Sequence, residues 1–233
     1  KSQGYLSAQF GSPYYTDAIT QNLLQGFDRI NHRTPENIAA VAVFQRYLPQ
    51  DEAYFVGNLY QRLTERLAHI FYVAEMQNPY ADVLAPAESA DEFDKLERAL
   101  ELMETSDPPV FAHVHLMNTH GPRFAPVQQV FSAGKDIDRQ EDWDPDFYDD
   151  SILEFDRMLG AAVDRLAQNG LLEHTLLIIG SDHGNRWETV QRIPLIVRFP
   201  RGQHAGRIQA NAQNLDIAPT ILAAAGITAP TDA

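Results

Sequence analysis

Cysteine is absent from the 233 residues, which excludes disulfides and thiolate metal sites within them and leaves the compartment, cytoplasmic or extracytoplasmic, open. No run approaches the ~18 consecutive apolar residues of a membrane span, and no signal peptide opens the chain. The first residues, Lys1-Ser2-Gln3-Gly4-Tyr5, read as if cut from the interior of a longer polypeptide, so a leader or anchor upstream stays open. Internal repeats and low-complexity tracts are missing. Positive charge is scarce: 18 Lys and Arg stand against 32 Asp and Glu, a formal net charge of -14 with pI near 4.8. Such a surface repels nucleic acid and anionic membranes, so neither is an expected partner. An anionic substrate would need a local group of cations or a metal to overcome that field. Hydrophobic residues make up 44%, enough for a core. At ~150 residues per domain the length fits one large domain or two small ones. Oligomeric state is not legible.

The most informative stretch is Leu176-Leu177-Ile178-Ile179-Gly180-Ser181-Asp182-His183-Gly184. Four large apolar residues predict a strand buried on both faces, the habit of parallel sheets. In open α/β sheets, ligands bind beyond the carboxyl ends of the strands, where Asp182 and His183 would stand. A carboxylate and an imidazole at such a place suit a divalent metal. Neighbouring strand residues point to opposite faces, so both reach one ion only if the chain has turned, which Gly180 and Gly184 permit. One Asp and one His do not complete the ~6 ligands of calcium or manganese; further ligands must come from elsewhere. Ser181-Asp182-His183 is not a serine triad, whose members converge from separated positions.

The rest of the chain alternates strands and helices. A short strand is expected before Gly11, then loop and irregular helix over 12–22. Helices are expected over 37–48, over 55–72 with Leu59, Leu63, Leu67 and Ile70 on one stripe, and over 91–103 with Phe93, Leu96, Leu100 and Met103 on another. Residues 80–88 read as loop. Val110 to Met117 predicts a second strand, with Val110, Ala112, Val114 and Leu116 on one face. On its other face His113 and His115 read as packed core histidines. His120 differs: it lies in the turn Asn118-Thr119-His120-Gly121-Pro122 at that strand's carboxyl end, where such folds put function. Residues 124–144 form a long acidic loop. Asp144-Pro145 starts an amphipathic helix carrying Ile152, Phe155, Leu159, Ala162 and Leu166, closed by Asn169-Gly170. A third strand is expected over 193–199, with Pro194 at its start. A last helix over 217–225 is capped by Asp216 and stopped by Gly226. This order predicts an α/β fold: a mostly parallel, crossover-connected sheet with helices on both faces.

Several of these segments together resemble the sulfatase branch of the alkaline phosphatase superfamily. The residues that carry the resemblance are Leu116 to Pro122, the helix around Tyr148, Asp156 and Gly160, and Thr175 to Gly184. Arg192-Ile193-Pro194-Leu195-Ile196-Val197 and Asp216-Ile217-Ala218-Pro219-Thr220 follow. Weaker echoes are Gly4-Tyr5 to Gly11 and Gly26-Phe27-Asp28. The order is that of the family over almost the whole chain. The resemblance implies an alkaline-phosphatase-like sheet and hydrolysis of a sulfate ester. It makes Asp182 and His183 ligands of a dication, Ca2+ or Mn2+, and gives His120 a contact with the ester or the leaving group. Arg123 and Arg186 are candidate substrate-binding cations. In such enzymes a dication clamps developing charge and lowers the pKa of the nucleophile, and an imidazole serves as acid or hydrogen-bond donor.

The departures are as specific. The family's nucleophile is a formylglycine made from Cys or Ser, or Thr or Ser in the phosphate-cleaving relatives. It lies in a segment that precedes the Gly4-Tyr5 region. No Cys-x-Pro-x-Arg or Ser-x-Pro-x-Arg occurs here, nor do the paired acidic ligands of the family's first strand. Where the family shows Lys and then His after Gly11, this chain has Ser12-Pro13. The short loop after Gly184 holds no lysine, and Arg186 and Arg192 are the nearest cations in sequence. The expectation is that residues 1–233 are the later part of a sulfatase-like catalytic domain, inactive alone. Hydrolysis of a phosphodiester or phosphonate ester, and a non-catalytic binding role, stay open beside it.

Overall fold

The computed structural model describes residues 3–12, 16–18, 21, 23, 26–31, 43–71, 89–188 and 190–228. Its elements are β1 (Leu6–Phe10), β2 (Arg29–Ile30), α1 (Gln50–Phe71), α2 (Ser89–Thr105), β3 (Val110–Val114), α3 (Pro145–Gln168), β4 (Leu177–Gly180), β5 (Leu195–Arg198) and α4 (Ile217–Ala224). The fold is α/β, as expected. Two compact units divide at Phe155 and Asp156, inside α3.

The first unit is built on a parallel sheet of order β2-β1-β3. Leu6 pairs with Val110 and the register runs through Phe10 and Val114. Helix α2 covers one face, where Ala99 and Leu102 meet Ala8 and Phe10, with Leu6, Val110, Ala112 and Val114 packed around them. The central strand β1 is buried on both sides although it carries Ser7 and Gln9. Each finds partners, as buried polar groups must. The Ser7 amide and hydroxyl donate to Asp28 Oδ2 at 3.0 and 2.7 Å. Gln9 accepts from the Ala18 amide at 3.2 Å and donates to the Thr16 carbonyl.

Residues 124–144 are a pinned loop with one short helical turn, Ile137–Arg139. Phe124 is buried against Trp143 and Tyr148, and the Gln140 side chain bonds both the amide and the carbonyl of Phe124 at 2.8 and 2.7 Å. Helix α3 opens at Asp144, whose Oδ1 accepts from the Asp146 amide at 2.9 Å.

In the second unit α3 ends in a Schellman-type cap. Gly170 has φ 70°, its amide meets the Ala167 carbonyl at 3.1 Å, and the Leu171 amide meets that of Leu166 at 2.8 Å. Strands β4 and β5 pair antiparallel, Leu177 with Arg198 through Gly180 with Leu195. Arg198 ties this hairpin to the turn before it, donating to the Leu172 carbonyl and to Glu173, each at 2.7 Å.

Five expectations need correction. The apolar run 176–179 is not a parallel strand buried on both faces: β4 is antiparallel and half-buried, because an apolar run specifies area to be covered and not the direction of its neighbour. The stripe of α1 is open, with Leu59, Leu63, Leu67 and Ile70 between 47% and 65% exposed. Helical spacing places residues on one face without covering it. The expected stripes of α2 and α3 are buried only in part: Leu100, Ala162 and Leu166 are inside, whereas Phe93 and Ile152 are exposed and Glu92, Phe147, Ser151 and Met158 are inside. His113 is not a fully buried core histidine: it lies on the more exposed side of β3 with Phe111, and the partial burial of its ring lowers its pKa. Asp216 does not cap α4 with its side chain, which instead accepts from the Gln213 amide at 2.8 Å in the preceding turn. Half of the helix expected over 37–48, residues 37–42, and all of the loop over 80–88 lie outside the described residues.

Candidate active-site segments

His120 belongs to the first unit. β3 ends at Val114, and the His115 amide still extends its ladder to the Phe10 carbonyl at 2.8 Å. The chain then turns, and the His120 amide closes on the Met117 carbonyl at 2.8 Å. The peptide Gly121–Pro122 is cis. A side chain at Gly121 would run into the Trp143 ring, and the Trp143 amide donates to the Pro122 carbonyl at 2.7 Å. His120 therefore lies beyond the carboxyl end of a parallel strand, on a turn backed at Gly121 by an indole. Arg123, three residues on, holds Asp142 at 3.2 Å in an exposed ion pair.

The same edge carries a polar network at the ends of β1 and β2. Asn31, with φ 53°, accepts from the Gly11 amide at 3.0 Å and donates to the fully buried Asp17 at 2.8 Å. The Ser12 amide donates to the Thr16 hydroxyl at 2.9 Å. Sequence reasoning did not single out Asp17 or Asn31; an Asn is among the few residues that take positive φ readily, and that was the available signal.

Asp182 and His183 belong to the second unit, just after β4. Asp182 Oδ1 and His183 Nε2 lie 3.7 Å apart. His183 Nδ1 is 2.8 Å from the Gly184 carbonyl. A carbonyl only accepts, so Nδ1 carries the proton and Nε2 the lone pair in the neutral ring. Binding one imidazole nitrogen to a carbonyl so that the other serves as ligand is the usual outer-shell arrangement of metal-ligating histidines. The turn is held on three sides. The Ser181 hydroxyl donates to the His183 carbonyl at 2.6 Å. Asn214 donates to the carbonyls of Ser181 and Asp182 at 3.1 and 3.3 Å. The Gly184 amide meets the Glu188 carbonyl at 2.8 Å. Asn214 was not anticipated, and nothing in a lone amide 32 residues away signals it.

A carboxylate and an imidazole 3.7 Å apart on a fixed turn fit two ligands of one hard or borderline dication. Among the described residues no group of three or more Asp, Glu and His gathers around one point. Arg186 is exposed, with φ 57° in the short turn Asn185–Trp187. The structure thus brings Asp182 and His183 together, and places His120 and Arg123 on one turn of the other unit.

His120 follows a parallel strand in one unit, and a carboxylate and an imidazole follow an apolar strand in the other. Comparison with known proteins gives the family. The model of the Sulfatase family matches residues 2–227, so the chain belongs to the sulfatase family, within the alkaline phosphatase superfamily. It is similar to an N-acetylglucosamine-6-O-sulfatase of Bacteroides thetaiotaomicron, 34% identical over 95 residues that cover 35% of this chain and 17% of that protein. It is also similar to the steryl-sulfatase of Mus musculus, 29% identical over 148 residues, 52% of this chain and 21% of that protein. Arylsulfatase K of Bos taurus is 33% identical over 96 residues, 36% and 18% of the two chains. The match spans about a fifth of the length of these relatives.

Proposed function

We propose that this chain supplies the metal-holding and leaving-group side of a sulfuric ester hydrolase. Asp182 Oδ1 and His183 Nε2 would hold the dication, Ca2+ or Mn2+, together with ligands from outside the described residues. The bound ion would lower the pKa of a formylglycine nucleophile and clamp the charge that grows on sulfate oxygens. The His120 imidazole would hydrogen-bond the bridging ester oxygen and pass it a proton as the S–O bond breaks, so that ester and water yield alcohol and sulfate. Arg186 and Arg123 are the candidate contacts for the anion. The observation that carries the reading is the 3.7 Å approach of the Asp182 carboxylate to a His183 ring whose tautomer is fixed by the Gly184 carbonyl.

The test uses the full-length protein with an aryl sulfate and, in parallel, an aryl phosphodiester. The expected result is metal-dependent turnover that prefers the sulfate, abolished by chelation and restored by Ca2+ or Mn2+. Asp182→Ala should lower metal content and cut kcat by at least about 100-fold. A preference for the phosphodiester would move the assignment to the phosphate-cleaving branch. A full-length protein that binds no dication would refute it in favour of a non-catalytic binding role.

A further inference from the structure

Two side chains that the proposed chemistry does not use tie down the turn carrying His120. Glu92 lies in the first turns of α2 and yet is only 2% exposed. Its Oε2 accepts from the Met117 amide at 2.6 Å, and the Met117 carbonyl in turn accepts the His120 amide at 2.8 Å. Its Oε1 accepts from Lys95 Nζ at 2.5 Å. The same ammonium donates to the Ser12 hydroxyl at 2.8 Å. Ser12 follows Gly11 at the end of β1, and Met117 lies just past β3. One Glu-Lys pair, three residues apart on one face of a helix, thus holds the exits of two adjacent parallel strands.

A buried carboxylate is retained only where it is paired and hydrogen-bonded, and here both oxygens are engaged. If position 92 served packing alone, an apolar side chain would fill it, as Ala99 and Leu102 do further along the same helix. Ionised, Glu92 acts only as an acceptor, which a backbone amide and an ammonium each need. The bond to Met117 fixes the amide of the residue whose carbonyl accepts from His120.

We propose that Glu92 and Lys95 are positioning residues for His120. Together they lock the turn from Asn118 to Pro122 against the end of β1, so that the imidazole is set before substrate arrives. The proposal rests on the hydrolase reading for its kinetic consequence and on the hydrogen bonds alone for its structural one, and the two are tested separately.

The experiment compares full-length wild type with Glu92→Gln, Lys95→Met and Lys95→Arg. Glutamine places an amide donor against a donor, and methionine removes the ammonium at similar length. Turnover of an aryl sulfate should fall about 10-fold to 100-fold in kcat for both, with KM within about twofold, since a displaced catalytic group costs the transition state more than the ground state. Lys95→Arg, which keeps the charge and a donor for each partner, should recover kcat to within about fivefold of wild type. Amide exchange at Met117 and His120 should accelerate at least about 10-fold in Glu92→Gln and Lys95→Met, with the His115 amide unchanged. Should Glu92→Gln fail to fold, Lys95→Met carries the test, its native side chain being 15% exposed. Folded variants with wild-type kcat, or with exchange at Met117 and His120 unaltered, overturn the proposal. If wild type turns over no sulfate ester, the functional reading fails, and the exchange measurement still decides the positioning claim.

Discussion

The loop over 124–144 should loosen if Asp150 loses its charge. This carboxylate is 1% exposed in α3. Its Oδ1 accepts from the amides of Val130 and Phe131 at 2.9 and 2.8 Å, and its Oδ2 from the amide and hydroxyl of Ser132 at 3.0 and 2.6 Å. Three successive amides converging on one anion form a nest. Burial alone would raise the Asp150 pKa, but the Ser132 hydroxyl and the three amides outweigh it and hold the pKa below the ordinary aspartate value. In Asp150→Asn one oxygen keeps two of the four donors, while the new amide faces the other two. Each lost charge-assisted bond is worth ~1.5–3 kcal/mol, and with partial relaxation the cost is roughly 2–4 kcal/mol. If it falls on local opening, exchange of the Val130, Phe131 and Ser132 amides at neutral pH should accelerate roughly 30-fold to 900-fold. Acceleration below about threefold would refute the nest as the loop's anchor. The pH dependence follows from the sign of the shift. A depressed folded pKa gives a contribution that is complete above the unfolded value, near pH 4, and is lost as pH falls through the folded value. The difference between wild type and Asp150→Asn should stay constant from about pH 5 to 8 and shrink below about pH 4. A difference that is unchanged at about pH 2 would contradict the assignment.

Two further outcomes are expected. Gly184→Ala would place a Cβ 2.6 Å from Gln191 Oε1 and 2.8 Å from the Glu188 carbonyl. Since backbone cannot simply swing aside, the Asp182–His183 turn should shift and metal affinity of the full-length protein should fall about 10-fold to 100-fold in a competition titration. Unchanged affinity would show that the turn does not set the site. Arg198→Met removes the bonds to the Leu172 carbonyl and to Glu173, and should cost about 1–2 kcal/mol in urea unfolding. Glu173→Gln should cost less than about 0.5 kcal/mol, because that partner is largely solvated; equal losses would mean that the ion pair, and not the carbonyl bond, holds the hairpin.

What the sequence made legible was what periodicity and punctuation encode. Pro145, the helical spacing after it and Gly170 placed α3 at both ends, because each residue acts on its own backbone. The turn at Asp182-His183-Gly184 was readable for the same reason: its glycine and its two polar side chains are contiguous. Pairing direction was not legible. Leu177 to Ile179 looks more like a buried parallel strand than Leu6 to Phe10, yet β1 is the buried parallel centre and β4 an antiparallel partner of β5. Burial of β1 depends on Asp28, Thr16 and Ala18, which satisfy Ser7 and Gln9 from outside the strand. Glu92 escaped notice, and Asp150 reads from sequence as part of a solvated acidic helix face although it is 1% exposed, by the same logic. An acidic residue in the first turns of a helix reads as a solvated charge favoured by the helix dipole, and only the folded chain brings it Met117 in one case and the nest at Val130 to Ser132 in the other. A local pattern says which side chain is available, whereas its function is fixed by whichever distant donors arrive. The inside positions where an acid replaces an apolar residue are therefore where a supporting shell should be sought in this family: an uncompensated carboxylate there would be expelled, so its retention already implies that partners have been built for it.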